Sequence, residues 1–121
     1  MRALLTSILL CLALASCGQR FDTDQRRACR LAIPALNASD STIVIEGSGQ
    51  GPRPGILRIV YRVERPDMQP RRRTIDCIFA GEGTPLPRGA LAGLASDGRP
   101  MTDASFLLLR RFYLENKADP P

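Results

Sequence analysis

The stretch ILRIVYRVE, Ile56 to Glu64, alternates in hydrophobicity along its whole length. One side of the alternation is apolar and consists of Leu57, Ile59, Tyr61 and Val63. The other side carries Arg58, Val60 and Arg62. Successive side chains of a β-strand point to opposite faces, so a period of two indicates a strand with one buried face. We therefore predict an antiparallel strand whose apolar side lies against the core.

Two further stretches predict strands before and after this one. Ser41 to Glu46 contains four β-branched residues in succession, TIVI. Arg73 to Ala80, RTIDCIFA, alternates again, with Ile75, Cys77 and Phe79 on one side. The segment RPDMQP, residues 65–70, consists largely of turn residues and predicts a hairpin loop between the second and third strands. The glycine-rich segment 46–55 is predicted to be a flexible hairpin loop, because it lacks the Lys-Ser/Thr of a phosphate-binding loop.

A hairpin centred on residue 68 predicts an arginine-rich sheet face. This register pairs Arg62 with Thr74, Val60 with Asp76, and Arg58 with Ile78. Asp76 is then diagonal to an arginine on each side. Further charge at the hairpin end comes from Arg71, Arg72 and Arg73. Two interpretations stay open: a solvated face with local ion pairs of little stability, or a surface for anionic lipid, envelope glycan or an acidic partner.

Helices are predicted at both ends of the strand region. Thr23 or Asp22 can cap a helix beginning near Asp24. Its apolar residues recur at helical spacing and are Cys29, Ala32, Ile33 and Leu36. Pro34 indicates the last turn or a kink. A second helix is expected from Asp103 to near Lys117, with a core stripe of Phe106, Leu109, Phe112 and Tyr113.

Together these elements predict an α+β domain over residues 23–117, with a tail at 118–121. Ala90 to Ser96 is compatible with a fourth strand or a helical turn, and the Asp97-Gly98 that follows favours the strand. The expected order is α-β-β-β-(β)-α. We predict a three- to four-stranded antiparallel sheet, with both helices packed on one face.

The amino-terminal segment predicts export. Thirteen uncharged residues, Ala3 to Ala15, follow Arg2. A helix of that length spans about 20 Å, less than the roughly 30 Å of a bilayer core. We therefore predict a signal peptide over residues 1–16. Ala13-Leu14-Ala15 fits cleavage by ordinary signal peptidase, which would release a soluble protein.

A second cleavage site overlaps the first. Leu14-Ala15-Ser16-Cys17 resembles the lipobox of bacterial lipoproteins at all four positions. The resemblance implies lipidation of Cys17 and cleavage before it, with residues 17–22 as anchor and tether. It also implies a place in the bacterial cell envelope on the periplasmic side. Gly18 rather than Asp after the cysteine favours the outer membrane. The resemblance covers only this segment, and the remaining domain matches no family by its motifs.

The four cysteines can be assigned on this hypothesis. Cys11 leaves with the signal peptide and Cys17 carries lipid, so Cys29 and Cys77 remain. An even pair in an oxidising compartment predicts one disulfide. Two free thiols or a redox pair are the alternative, although the spacing is far from C-x-x-C.

The tether places basic residues near the bilayer. About five residues separate Cys17 from the first helix, which limits the reach to roughly 17 Å. The arginines in and before this helix are therefore expected near lipid headgroups: Arg20, Arg26, Arg27 and Arg30.

Composition limits the function classes. Apolar residues make up 44% and charged residues 24%, which is typical of a globular protein. The chain contains no His, so it holds no Ser-His-Asp or Cys-His arrangement and no His-liganded zinc. We predict a non-catalytic protein without cofactor or metal, an accessory or scaffold of a membrane-bound complex. An envelope protein is the expected partner and nucleic acid is not, despite the net charge of +5.

Overall fold

The computed structural model describes residues 21–81 and 86–115. Helix α1, Thr23–Ala32, continues directly into a 3-10 turn, Ile33–Leu36. Five strands follow: β1 Thr42–Gln50, β2 Ile56–Glu64, β3 Arg71–Phe79, β4 Leu91–Ser96 and β5 Arg99–Pro100. Helix α2, Asp103–Leu109, runs into a π-helical turn, Arg110–Leu114. The predicted α+β class and element order are confirmed.

Helix α1 begins where the capping residues predict. The Asp22 carboxylate accepts a hydrogen bond from the Gln25 N–H at 2.7 Å, and the Gln25 side chain accepts one from the Asp22 N–H at 3.1 Å. This reciprocal capping box satisfies two backbone donors that the first turn leaves without partners. Pro34 lies in the 3-10 turn and has no N–H to donate, so the regular helix ends before it.

The sheet is an antiparallel meander in the order β1-β2-β3-β4-β5. Strands that are consecutive in the chain are neighbours in the sheet, and the residues of the β4–β5 turn fit the turn they form. Asp97 and Gly98 make the two-residue turn between β4 and β5, with φ angles of 50° and 81°. Asp and Gly tolerate this left-handed conformation better than other residues. The turn returns the chain along β4, so the sheet gains a two-residue fifth strand that the sequence does not predict.

Strand β1 is longer than predicted. The expected flexible loop at residues 46–55 is wrong over its first half, because β1 continues to Gln50 and pairs with β2 along its length. A bulge between Ile45 and Gly47 shifts the register. Bulges accommodate an extra residue without ending the ladder, and the backbone hydrogen bonds to β2 order the glycine-rich segment.

The two helices pack on one face of the sheet. Helix α1 contacts β2, β3 and β4, and α2 contacts β4. The core between these layers contains the predicted apolar faces of α1, β2 and β3. Its largest fully buried side chains are Tyr61, Ile33, Leu57, Ile59, Ile75, Cys29 and Cys77. Within residues 21–81 and 86–115, no helix has the length and apolar composition needed to cross a membrane.

The core stripe predicted for the second helix is wrong in its last turn. Phe106 is buried and Leu109 partly buried, but Phe112 is 65% exposed. Leu114 packs against the core instead. A π-helical turn bonds residue i to i+5, so it rotates the side chains that follow relative to an α-helix. Leu109 and Leu114, five residues apart, therefore share the buried side.

The predicted disulfide joins Cys29 of α1 to Cys77 of β3, with a Cα–Cα distance of 5.8 Å. Both residues are fully buried in the core. The bond closes a loop over a sequence separation of 48 residues. Loop closure of this length restricts the unfolded chain by about 4 kcal/mol in the chain-entropy account.

Replacing both cysteines by alanine should lower the free energy of unfolding by about 2–5 kcal/mol. The measurement is urea denaturation of the full-length variant and the parent. A reducing agent should destabilise the parent and leave the Cys29→Ala/Cys77→Ala variant unchanged. Equal midpoints for the oxidised parent and the variant would contradict a stabilising disulfide.

Candidate functional site

The register of the β2–β3 hairpin differs by two residues from the predicted one. Arg58 pairs with Asp76, Val60 with Thr74, and Arg62 with Arg72. A shift of two residues keeps every side chain on its face, so the hydrophobic pattern fits both registers equally. The turn between β2 and β3 determines which of the two registers forms. Pro66 and Asp67, the latter with a φ of 61°, occupy the centre of a turn in which the Met68 N–H bonds to the Arg65 carbonyl.

The face of the sheet opposite the helices carries three of the predicted arginines, and each has a carboxylate partner. Arg58 makes a bidentate pair with Asp76, with N–O distances of 2.7 and 2.8 Å. Arg62 pairs with Glu64 at 2.9 Å, and Arg72 with Glu46 at 3.0 Å. The charges of the three guanidiniums and the three carboxylates cancel. This face therefore carries a ladder of ion pairs.

The Arg58–Asp76 pair differs from the other two because it is sheltered. Asp76 is only 5% exposed, whereas Glu64 lies in an exposed pair with Arg62. The hydrogen bonds to Asp76, and then its charge, raise the pKa of Arg58 above its ordinary value. On the exposed rim, the hydrogen bond from Arg72 lowers the pKa of Glu46. The bulge in β1 immediately precedes Gly47, which places Glu46 within reach of β3.

Arg73 lies on the other face, opposite Tyr61, and acts as a structural hub. Its guanidinium donates to the Asp97 carboxylate at 2.8 Å, to Ser96 Oγ at 2.8 Å and to the Leu36 carbonyl at 3.1 Å. It also donates to Asn37 Oδ1. These bonds tie the end of the 3-10 turn to β3 and to the β4–β5 turn. The hydrogen-bond donors of the Arg73 guanidinium are therefore largely used by bonds within the domain.

Asp97 completes this hub. Its Oδ1 accepts the Thr74 N–H at 2.9 Å, while Oδ2 accepts from Arg73. Partial burial opposes its ionisation, but the bond from Thr74, the bond from Arg73 and the charges of Arg73 and Arg71 together lower its pKa. Both oxygens of a charged carboxylate thus have donors.

A polar groove of about 610 Å³ adjoins the hub, between the start of β3, the β4–β5 turn and the start of α2. It is lined by Arg71, Arg73, Ser96, Asp97, Arg99, Met101, Thr102 and Ser105. We call it the Arg71–Arg99 groove. Among the described residues, Arg71 and Arg99 make no ion pair or side-chain hydrogen bond. Arg99 is not among the predicted site residues, because it lies on the fifth strand, which the sequence does not predict. The Asp97-Gly98 pair was the sequence signal for the turn that leads into this strand.

The arginines of α1 fall into two groups. Arg26 donates to the Phe21 carbonyl at 3.3 Å and to Ser48 Oγ at 2.8 Å, so it ties α1 to β1. Arg27 and Arg30 are exposed. Arg20 and the predicted lipobox, including Cys17, lie outside the described residues, as does the predicted tail at 118–121.

An apolar surface lies on the solvent side of α2 and the π-helical turn. Leu107, Leu108 and Phe112 are 53%, 58% and 65% exposed, and we call them the α2 patch. An open apolar groove of about 380 Å³ lies between α1, the π-helical turn and the segment before β4, and its walls include Ala28, Leu31, Pro87 and Leu114.

No group of three His, Cys, Asp or Glu side chains in the described ranges could hold a metal ion. Comparison of the chain with protein-family models, with curated proteins and with solved structures finds no match.

Replacing the buried Asp76 by alanine should lower the free energy of unfolding more than replacing the carboxylate of an exposed ion pair. Asp76→Ala removes the sheltered partner of Arg58, and we expect a loss of about 1–3 kcal/mol in the free energy of unfolding. The control is Glu64→Ala, whose exposed pair should contribute less than about 1 kcal/mol. Urea denaturation measures both. Equal losses would show that shelter does not strengthen the Arg58–Asp76 pair.

Proposed function

We propose that this protein is a lipid-anchored, periplasm-facing lipoprotein of the bacterial cell envelope. It would act as a non-catalytic accessory or scaffold of a membrane-bound complex. The observation that carries the proposal is the lipobox Leu14-Ala15-Ser16-Cys17, which directly precedes the folded domain. The Cys29–Cys77 disulfide supports it, because disulfides persist mainly in exported proteins.

The start of the domain supports a close approach to the bilayer. The capping residue Asp22 is five residues after Cys17, a reach of at most roughly 17 Å. Phe21 packs against Phe79 with a ring-centroid distance of 5.9 Å. The tether therefore leaves the domain at the end of the sheet where β3 finishes. That end would face the membrane, with Gly18 favouring the outer one.

The α2 patch supports a scaffold role. Exposed apolar side chains that cluster on one surface are typical of sites where proteins or membranes bind. Leu107, Leu108 and Phe112 lie on the outside of the helix layer, and the exposed Arg111 directly precedes Phe112. A mixed apolar and arginine-containing surface is common at protein interfaces. We therefore place the partner protein at the α2 patch.

The ion pairs weaken the alternative in which Arg58 and Arg62 bind anionic lipid or envelope glycan. A ligand would have to displace Asp76 from Arg58 and Glu64 from Arg62. Such a displacement leaves a sheltered carboxylate without its partner. Arg71 and Arg99, which have no ion pair among the described residues, lie away from the sheet face that carries Arg58 and Arg62.

Replacing Cys17 tests the anchor. In a bacterial host, Cys17→Ala should abolish incorporation of labelled palmitate and release the protein from the membrane fraction, because the thiol that carries the lipid is absent. The matched control is Cys11→Ala, which removes a cysteine within the proposed signal peptide and should leave labelling unchanged. Labelling that persists in Cys17→Ala would refute lipidation at this residue.

Photo-crosslinking tests the α2 patch. A photoreactive amino acid at position 108 should give a crosslink to a membrane-bound protein in intact cells. The control position is 68, because Leu108 and Met68 are similarly exposed, at 58% and 56%, and Met68 lies on the β2–β3 loop. Crosslinks of equal yield at both positions, or crosslinks to lipid alone at position 108, would contradict a protein partner at this patch.

A further inference from the structure

We propose that the Arg71–Arg99 groove binds a soluble ligand through a phosphate monoester group. This site is separate from the lipid anchor and the α2 patch. Its existence rests on the groove residues alone, and only the choice of a soluble ligand over a lipid headgroup rests on the proposed function.

The charge of the groove matches a doubly charged anion. Its lining contains three arginines and one aspartate, which gives a net charge of +2. Asp97 is held by Arg73 and by the Thr74 N–H, so its negative charge is largely compensated within the hub. The guanidiniums of Arg71 and Arg99 remain without an acceptor among the described residues. A phosphate monoester carries about −1.5 to −2 charges at neutral pH, whereas a carboxylate carries one.

The hydroxyl groups of the groove add donors to the guanidiniums. Ser96 Oγ accepts from Arg73, so its own proton is available to another acceptor. Thr102 Oγ1 donates to Ser105 Oγ at 2.9 Å and accepts the Ser105 N–H at 3.2 Å. The Ser105 proton is likewise available. Two guanidiniums and two hydroxyls can then donate to a ligand in the groove, and the oxygens of a phosphate group accept such bonds.

The size of the groove indicates more than a bare phosphate ion. A volume of about 610 Å³ lies in the range of small-molecule sites, roughly 300–1,000 Å³. Met101 provides an apolar contact in the lining. The organic part of a small phosphorylated molecule would occupy the space beyond the phosphate.

Position favours a soluble source over a headgroup of the anchoring membrane. Arg71 begins β3, and Phe79, which contacts Phe21 next to the tether, ends it. A nine-residue strand separates its ends by about 26 Å. The proposed anchor thus draws one end of the sheet to the bilayer and leaves the groove at the opposite end.

Calorimetry on the detergent-solubilised full-length protein tests the site, with glycerol 3-phosphate and inorganic phosphate as probes and acetate as the singly charged comparison. The site variant is Arg71→Gln/Arg99→Gln. The matched control is Arg27→Gln/Arg53→Gln, which removes the same charge from exposed arginines outside the groove. We expect the parent and control to bind glycerol 3-phosphate equally, and the site variant to bind at least about tenfold more weakly.

Several results would overturn the proposal. They are no binding of either phosphate probe by the parent, acetate binding as tight as glycerol 3-phosphate binding, or equal weakening in both double variants. A vesicle arm separates the sources: binding to vesicles that contain phosphatidic acid without binding to glycerol 3-phosphate would refute a soluble ligand. If the double variant fails to fold, the single variants Arg71→Gln and Arg99→Gln provide the same comparison. Palmitate labelling of Cys17 is read separately, so failure of the anchor and failure of the groove are distinguishable.

Discussion

The covalent bond between Cys29 and Cys77 fixes helix α1 over the centre of the sheet, and the other contacts of α1 depend on this placement. Cys77 pairs with Leu57 on one side and Leu94 on the other, so the bond attaches the helix to the middle of a three-strand layer. The helix can then reach both ends of β3. At one end Phe21 meets Phe79, and at the other the Leu36 carbonyl accepts the Arg73 guanidinium. The disulfide fixes the position of the helix, and these two end contacts set its direction along the sheet.

The arginines are distributed by the period of the strand. Arg71 and Arg73 lie on the helix side of β3, while Arg72 lies on the outer side. The three consecutive arginines are therefore divided between the two faces of the sheet. On the outer side the cross-strand neighbours include enough carboxylates to neutralise the charge. On the helix side Asp97 forms its ion pair with Arg73 and feels the charge of Arg71 at longer range. Arg71 and Arg99 therefore leave uncompensated positive charge in the groove at the start of β3. Other arginines without an ion pair among the described residues, such as Arg27 and Arg53, lie elsewhere on the domain.

The sequence pattern predicts faces well and registers poorly, for a physical reason. A period of two determines which side of β2 and β3 is buried, because burial of the wrong face would place arginines in the core. It does not distinguish registers that differ by two residues, and the turn at Pro66-Asp67 makes that choice. The same limit applies to α2, where the helical period predicts the buried Phe106 but gives no signal for the π-helical turn that exposes Phe112. Arg99 lies in the groove because it belongs to β5, a strand of two residues. A strand this short shows no periodicity in the sequence, so it could not be predicted.

In the proposed anchored protein, the distance between the tether and the proposed binding groove determines whether the groove is accessible. A domain held within roughly 17 Å of a bilayer cannot turn freely, so a site near the tether would be crowded by headgroups. The Arg71–Arg99 groove is at the far end of β3, and the Arg73 hub that supports it bonds to the same helix that the disulfide clamps. Helix, sheet and groove are thus connected through bonds that do not involve the tether. In the proposed anchored protein, this connection would keep the groove directed away from the membrane while the Cys29–Cys77 bond is intact. A loosened α1 would free both the Phe21 end of the helix and the Leu36 carbonyl that orients Arg73.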